Sequence, residues 1–190
     1  MSTHFIKRIR ILKRRLPELF TDVLLRVLYV GGKPGRIQCV PELFKVGHHI
    51  TLLELVPEFA KALEGKFFEK IIVGDVTKIG RPAAPQFDVT FWWHGPEHLG
   101  MDVSVEVIQN LERLTRYLVV LASPYRYTKL REYKHPGQTH VSAWCPRDYT
   151  RMGYEVVVIG KKDAGMKSKW SHIMGWKWLK SLPLPEPTTD

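Results

Sequence analysis

The chain has 190 residues, of which 44% are hydrophobic, and its formal net charge is +10. This length fits one domain with a core of its own, and two cysteines are too few for a disulfide framework. No apolar run approaches the ~20 residues that span a bilayer, and basic residues interrupt the apolar ones near the N-terminus, which argues against a signal peptide. We therefore expect a cytoplasmic protein without a transmembrane segment, in which Cys39 and Cys145 serve packing.

Charge and proline content divide the chain into three predicted segments. Residues 1–22 form a basic N-terminal extension or helix, because residues 7–15 contain six lysines and arginines and no acid. Residues 23–180 form the folded domain, and the proline-rich residues 181–190 form a flexible tail. The basic residues of 7–15 and 161–180 suit a polyanion partner such as nucleic acid, although a solvated basic face is the simpler interpretation.

Short runs rich in valine, isoleucine and leucine recur along the chain and predict strands. In chain order these strands span residues 27–30, 49–55, 69–75, 87–93, 117–123, 154–160 and 168–179. Most of the runs are unbroken by polar residues, which is typical of strands covered on both faces. The last run alternates in part, and we expect it to be antiparallel to its neighbours.

Helices are predicted between these strands. They span residues 36–46, 57–65, 101–116 and 146–153. Pro41 is expected to interrupt or restart the first helix. One apolar face of the longest helix contains Val103, Val107, Leu111 and Leu114. The alternation of strand and helix predicts an α/β fold, which is Rossmann-like and doubly wound, with a mostly parallel seven-stranded sheet and helices on both faces.

Polar and glycine residues follow the first three predicted strands. The first is followed by a turn with Gly31, Gly32 and Gly35, which allow close approach of a ligand. Glu54 stands at the end of the second strand, where a carboxylate can accept both hydroxyls of a ribose, and Asp75 ends the third. In a parallel sheet, ligands bind outside the carboxyl ends of the strands, so these residues predict a nucleoside-shaped site.

Four motifs resemble those of the class I methyltransferases that use S-adenosylmethionine. VLYVGGKPG resembles their first motif, ITLLEL the second, VGDV the third and FDVTFWWHGPEHL the fourth, and the resemblance covers residues 24–178. It implies that residues 23–180 are a methyltransferase-like domain that binds S-adenosyl-L-methionine and transfers its methyl group. The residues predicted to bind this cofactor are Gly31, Gly32, Gly35, Glu54, Asp75, Val76 and Trp93.

Two residues of the first motif depart from the family pattern. Tyr29 stands where the family usually has an acid, and Lys33 replaces the middle glycine. A lysine beside the sulfonium cation of the cofactor repels it unless its side chain points away. These departures favour an alternative in which the chain is a non-catalytic cofactor-binding or assembly module.

The stretch WWHGPEHLG follows the fourth strand, where the resemblance implies that it faces the methyl group of the cofactor. Methyl transfer needs the acceptor atom ~3 Å from the methyl carbon and, for a hydroxyl or amine, a base. His94, Glu97 and His98 are the predicted catalytic residues. HGPEH also fits the H-x-x-E-H pattern of some zinc metalloproteases, but Pro96 suits only the first turn of a helix and leaves His94 outside it, so no metal site is predicted.

Residues 123–146 form a long connection after the fifth strand, and such loops often carry function. Cations and tyrosines are interleaved in this segment, and Tyr125, Arg126 and His140 are predicted to bind the substrate. The favoured acceptor is a small molecule. An RNA methyltransferase or nucleic-acid-binding protein is the alternative that the basic stretches favour, and the sequence leaves the oligomeric state open.

Overall fold

A computed structural model of the chain describes residues 3–35, 37, 40–80, 83–125, 137–160 and 171–182, with side chains from residue 9 onward. Seven strands form one sheet. They are β1 (Arg26–Val30), β2 (His49–Glu54), β3 (Lys70–Val73), β4 (Phe87–Trp93), β5 (Thr115–Pro124), β6 (Glu155–Ile159) and β7 (His172–Trp178). Within these ranges, five α-helices surround the sheet. They are α1 (Thr3–Arg15), α2 (Val40–Lys45), α3 (Pro57–Leu63), α4 (Met101–Leu114) and α5 (Pro146–Arg151).

The sheet has the strand order β3-β2-β1-β4-β5-β7-β6. The pairs among β1 to β5 are all parallel, whereas β7 is antiparallel to both β5 and β6. The predicted Rossmann-like α/β architecture and the antiparallel last strand are thus confirmed. Because the order reverses between β1 and β4, a crevice at the carboxyl ends of these two strands is the expected ligand site.

Each face of the sheet has its own hydrophobic core, because successive side chains of a strand point to opposite faces. On β1, Tyr29 faces a cluster that includes residues of α1, α2 and α3. Its neighbours Leu28 and Val30 face a second cluster that includes residues of α4 and α5. The helices therefore cover both faces, as predicted.

The N-terminal helix α1 is part of the first core. Leu12, Leu16 and Leu19, the last in a 3₁₀ helix after α1, have no exposed surface. The ring of His48 fixes this segment to β2, since its Nε2 atom lies 2.8 Å from the Leu19 carbonyl oxygen and its Nδ1 atom accepts from the Leu25 N–H. The basic residues of α1 lie on the same helix as Ile9 and Leu12, which are buried in the first core.

Two local expectations are wrong. Val103 was expected on the buried face of α4, but its side chain is 44% exposed. The third strand was expected to be covered on both faces, yet Ile72 and Val73 are exposed. Between β3 and β4 the described residues contain only a short 3₁₀ helix, Val76–Lys78, so no α-helix in the described part of that crossover shields this edge strand.

Some expectations concern residues outside the described ranges. These are Cys39, the first residues of the predicted last strand (168–170), and most of the predicted tail, 183–190. Leu182, at the start of that tail, is buried in the first core. No helix among the described residues is long and apolar enough to cross a membrane.

Candidate functional site

The glycine turn after β1 has open space on one side. Gly31 and Gly35 have φ angles of 81° and 76°, a backbone region that favours glycine. A Cβ atom added to either residue would meet no heavy atom within 4 Å. Gly32 differs, because a Cβ there would lie 2.8 Å from the side chain of Leu52. The turn is thus packed against the core at Gly32 and open to a ligand at Gly31 and Gly35.

Glu54 joins the glycine turn to the end of β2. Its Oε2 atom accepts a hydrogen bond from the Gly32 N–H, and its Oε1 atom accepts one from the Val56 N–H at 2.8 Å. The residue is only 5% exposed. Glu54 therefore holds the backbone of the turn in place, a role that the sequence analysis did not include, and each oxygen retains a second lone pair.

The ends of β1, β2 and β3 are also linked through the backbone. Gly31 N–H donates to the Leu53 carbonyl, and Gly74 N–H donates to the Glu54 carbonyl, both at 2.9 Å. Asp75 follows directly, and its Oδ1 atom accepts from the Thr77 N–H at 2.9 Å, which caps the 3₁₀ helix that begins at Val76. Gly31, Gly32, Glu54, Asp75 and Val76 therefore lie at the carboxyl ends of three adjacent strands.

Tyr29 and Trp93 are held by packing, and Lys33 contacts an aromatic ring. Tyr29 is 1% exposed and stacks near Phe91, with ring centroids 6.3 Å apart. The ammonium group of Lys33, which is exposed, lies 5.7 Å from the centre of the Phe59 ring on α3. Trp93 is 4% exposed and belongs to the first core, so its ring contributes mainly to core packing.

The chain turns sharply after β4. His94 has a φ of 58°, the only positive φ angle of a non-glycine residue within the described ranges, and such strain is often found at functional sites. Gly95 follows, and a Cβ atom there would overlap the indole of Trp92. Pro96–His98 then form a 3₁₀ helix, so His94 lies outside the helix, as Pro96 predicted.

Three histidines, His94, His98 and His140, lie close to Glu97 at this turn, and His172 lies behind His94. His94 Nδ1 lies 3.1 Å from Glu97 Oε1. The His94 ring meets that of His172 edge to face, with centroids 4.8 Å apart, and His98 meets His140 in the same way at 5.0 Å. Glu97 itself is 1% exposed. The structure thus brings together the three predicted catalytic residues and His140, one of the predicted substrate-binding residues.

Residues 137–142, which we call the crossing segment, connect the two ends of the site. A Cβ atom on Gly137 would lie 2.7 Å from the side chain of Leu55, just beyond β2. At the other end, the N–H groups of Val141 and Ser142 both donate to the Glu97 carbonyl, at 2.8 and 3.2 Å. The crossing segment therefore runs along the carboxyl ends of the strands from the β2 side to the β4 side.

Tyr125 and Tyr149 border the histidines. The Tyr125 N–H donates to the Ser171 carbonyl at 2.9 Å. Tyr149 OH donates to Ser123 Oγ at 2.9 Å, and burial, with a smaller contribution from the charge of Glu97, raises the Tyr149 pKa above its usual range. Arg126, the remaining predicted substrate-binding residue, lies outside the described residues.

The sequence analysis missed His172. This residue pairs with Pro124 across β5 and β7. Because β7 is antiparallel, its first residue lies at the edge where the parallel strands end. The prediction of an antiparallel last strand places the beginning of that strand at this edge, and His172 lies in the first half of the predicted strand, so this prediction was the signal that could have found it.

A surface cavity of about 350 Å³ lies at the other end of the parallel strands, where β5 begins. It is lined by residues that include Glu112, Arg113 and Thr115, where α4 ends and β5 begins. None of its lining residues belongs to the predicted site, so this cavity is separate from the carboxyl edge.

Comparison with known proteins supports the fold. No protein-family model and no curated protein sequence matches the chain. Among solved structures, the chain is similar to a 1,6-didemethyltoxoflavin-N1-methyltransferase from Burkholderia thailandensis bound to S-adenosylhomocysteine, with a TM-score of 0.62, 15% identity and coverage of 93% of this chain and 78% of that one.

Two further structures agree. The magnesium protoporphyrin IX methyltransferase from Synechocystis, with bound S-adenosylhomocysteine, gives a TM-score of 0.64 at 12% identity over 92% of this chain and 83% of that one. The N-methyltransferase NodS from Bradyrhizobium japonicum gives 0.59 at 14% identity over 93% and 97%. Together with the sheet order, these likenesses show that the chain has the fold of the class I S-adenosylmethionine-dependent methyltransferases.

Proposed function

We propose that this protein is an S-adenosylmethionine-dependent methyltransferase that acts on a small molecule. The observation that carries the proposal is the convergence of the glycine turn, Glu54 and Asp75 at the carboxyl ends of three adjacent parallel strands. Similar structures that hold S-adenosylhomocysteine support the choice of cofactor.

The cofactor half of the site would hold the adenosine. The open flanks of the glycine turn at Gly31 and Gly35 leave room for the backbone to approach the ligand. The second lone pairs of the Glu54 oxygens would accept from the ribose hydroxyls, and Asp75 with Val76 would border the adenine. The contact between Lys33 and Phe59 provides the lysine with a cation–π partner when the sulfonium is present.

The acceptor half would hold the molecule that receives the methyl group. His94, Glu97 and His98 surround the end of β4, with His140 and Tyr125 at its border. A proximal, oriented nucleophile supplies most of the acceleration in a displacement of this kind. We expect these side chains to orient the acceptor atom toward the methyl carbon. A small acceptor is also supported by the similar structure that holds 1,6-didemethyltoxoflavin.

Calorimetric titration with S-adenosylhomocysteine tests the proposal. The wild-type protein should bind one equivalent, and the ligand should raise the melting temperature, because it binds only the native state. Glu54→Gln should weaken binding by ~10-fold or more, since one buried N–H then faces an amide NH₂. Glu58→Gln, an exposed glutamate on α3, is the matched control and should bind like the wild type.

Two results would contradict the proposal, one concerning the cofactor and the other concerning methyl transfer. Absence of heat and of a melting shift with both S-adenosylmethionine and S-adenosylhomocysteine would reject the cofactor assignment. Binding of the cofactor without methyl transfer to any member of a broad panel of small hydroxyl and amine acceptors would favour the non-catalytic alternative.

A further inference from the structure

Glu97, His98 and His140 form a compact group of metal-ligating side chains at the end of β4. Each offers one ligand atom, and these atoms all lie within 4.8 Å of one another. We propose that the three residues bind one divalent transition-metal ion. Two imidazoles and a carboxylate form a ligand set that suits Zn²⁺, Fe²⁺ and related ions and leaves coordination positions open for another molecule.

The hydrogen bond of His98 leaves one of its ring nitrogens available to a metal. Its Nδ1 atom lies 3.2 Å from the carbonyl oxygen of Thr139. A carbonyl oxygen only accepts, so Nδ1 carries the proton, and in the neutral imidazole Nε2 then carries the lone pair. Metal-binding histidines typically donate their second ring N–H to a carbonyl or carboxylate in this manner, which fixes both the tautomer and the ring orientation.

The carboxylate of Glu97 is held in position by its neighbours. Its Oε1 atom is 3.1 Å from His94 Nδ1, and its main-chain carbonyl accepts the two N–H groups of the crossing segment. The preceding carbonyl, of Pro96, accepts from Ser104 Oγ at 2.8 Å and from Ser142 Oγ at 3.2 Å. Support of this kind around a first ligand is what a preorganised metal site requires.

The same hydrogen bonds place His140. Its neighbours on both sides are fixed, because the Thr139 carbonyl accepts from His98 and the Val141 N–H donates to Glu97. An ion with bonds of ~2.0–2.2 Å holds its ligand atoms roughly 3–3.5 Å apart. With His98 held by its hydrogen bond to Thr139, rotation of the partly exposed His140 side chain would bring the ligand atoms toward that spacing.

Charge also favours a cation at this position. Glu97 is buried, and a buried carboxylate is stabilised by an opposite charge nearby. Neutral imidazoles supply lone pairs without supplying charge. A divalent ion would use these lone pairs and would balance the negative charge at the same time.

The role of the ion rests on the proposed function, whereas its binding does not. An acceptor hydroxyl bound at an open coordination position would lose its proton to water more readily, because the metal lowers its pKa. The resulting oxygen would attack the methyl carbon as the carbon–sulfur bond breaks. The sulfur keeps the electron pair, and the products are the methyl ether and S-adenosylhomocysteine. The acceptor class is then a small molecule with a metal-binding hydroxyl.

Titration with Co²⁺ tests the site. Tag-free protein is first treated with a chelator, and the visible d–d absorption of Co²⁺ is followed as the ion is added. The wild type should bind one equivalent saturably. His98→Ala and His140→Ala should each weaken binding by ~100-fold or more, and His94→Ala, which removes a positioning residue, should weaken it by ~10-fold.

His49→Ala is the matched control. His49 is exposed and lies 2.8 Å from Glu69, so it too is a histidine–glutamate pair, but away from the proposed ligands, and its loss should leave Co²⁺ binding unchanged. For the third ligand, the variant is Glu97→Gln. Glutamine keeps the size of the buried side chain and so avoids the unfolding that a smaller residue can cause. Circular dichroism of each metal-free variant reports its folding.

Two results would overturn the proposal. One is the absence of saturable Co²⁺ binding to folded wild-type protein, and the other is binding that survives both the His98 and the His140 substitutions. Calorimetry with S-adenosylhomocysteine is run on the same samples. Co²⁺ binding without cofactor binding would retain the metal site and reject the methyltransferase assignment. Cofactor binding without Co²⁺ binding would retain the methyltransferase assignment and reject the metal site.

Discussion

The two halves of the carboxyl edge are built in different ways. In the cofactor half, at the ends of β1, β2 and β3, the contacts are between backbone N–H groups and two carboxylates, Glu54 and Asp75. In the acceptor half, at the ends of β4, β5 and β7, they are among imidazoles and one buried carboxylate, Glu97. The comparison teaches that backbone hydrogen bonds build one half of the carboxyl edge, whereas contacts between side chains build the other half.

The largest expected effect tests the backbone-built half. Glu54→Ala removes the acceptor of two buried N–H groups, those of Gly32 and Val56. Hydrogen bonds to a charged group contribute ~1.5–3 kcal/mol each, so the free energy of unfolding should fall by about 3 kcal/mol or more. Urea denaturation measures this loss.

Glu58→Ala provides the comparison for that measurement, because its side chain is exposed on the adjacent helix. A loss for Glu54→Ala no greater than the loss for Glu58→Ala would contradict the role of Glu54 as a support of the turn. The two halves would then not differ in the way described.

An intermediate effect is expected at His94. The residue has a positive φ of 58°, a conformation that costs a side-chain-bearing residue ~1–2 kcal/mol relative to glycine. His94→Gly and His94→Ala both remove the bond to Glu97, so their difference isolates the backbone. We expect the glycine variant to be more stable by ~1 kcal/mol in chemical denaturation.

The same pair of substitutions at His49, the first residue of β2, should give the opposite order. Glycine loses more conformational freedom than alanine when it enters a strand. If alanine were the more stable replacement at both positions, the strain at His94 would have no energetic consequence.

The smallest effect concerns pH and His48, on the opposite edge of the sheet from the acceptor histidines. Burial lowers the pKa of His48, against an opposing hydrogen bond to the Leu19 carbonyl. The folded-state pKa therefore lies below the unfolded value of ~6.5, and protonation favours the unfolded state. The contribution of His48 to stability is complete above ~6.5 and is lost as the pH falls through that value toward the folded-state pKa.

The free energy of unfolding, measured by urea denaturation at about pH 7 and pH 6, should fall by less than ~1 kcal/mol on account of this group. His48→Gln should have a shallower dependence on pH than the wild type over that interval. Equal dependence in both proteins would assign the titration to other groups.

Much of the fold could be predicted from local patterns. Apolar runs located the first six strands, because strands covered on both faces need apolar side chains on both, and partial alternation located the seventh. The pattern failed for Val103 and for the third strand, since burial there depends on what packs against the element. The burial of Leu12 in the first core likewise depends on a long-range contact that no local period records.

The site could be predicted only where strand ends determine it. Glu54 and Asp75 follow from the rule that parallel strands end at one edge. The approach of His140 to His98 depends on backbone hydrogen bonds from the crossing segment to Glu97, and these bonds have no side-chain signature. His172 required the pairing of β7 with β5, which joins residues far apart in the chain.

The contact between Trp92 and Gly95 has a consequence for the evolution of the turn. The indole occupies the space in which any side chain at position 95 would begin. A side chain at position 95 is therefore disfavoured while Trp92 is present, whereas a smaller residue at position 92 would permit one. Among descendants of a common ancestor that retain this turn, the two positions should covary.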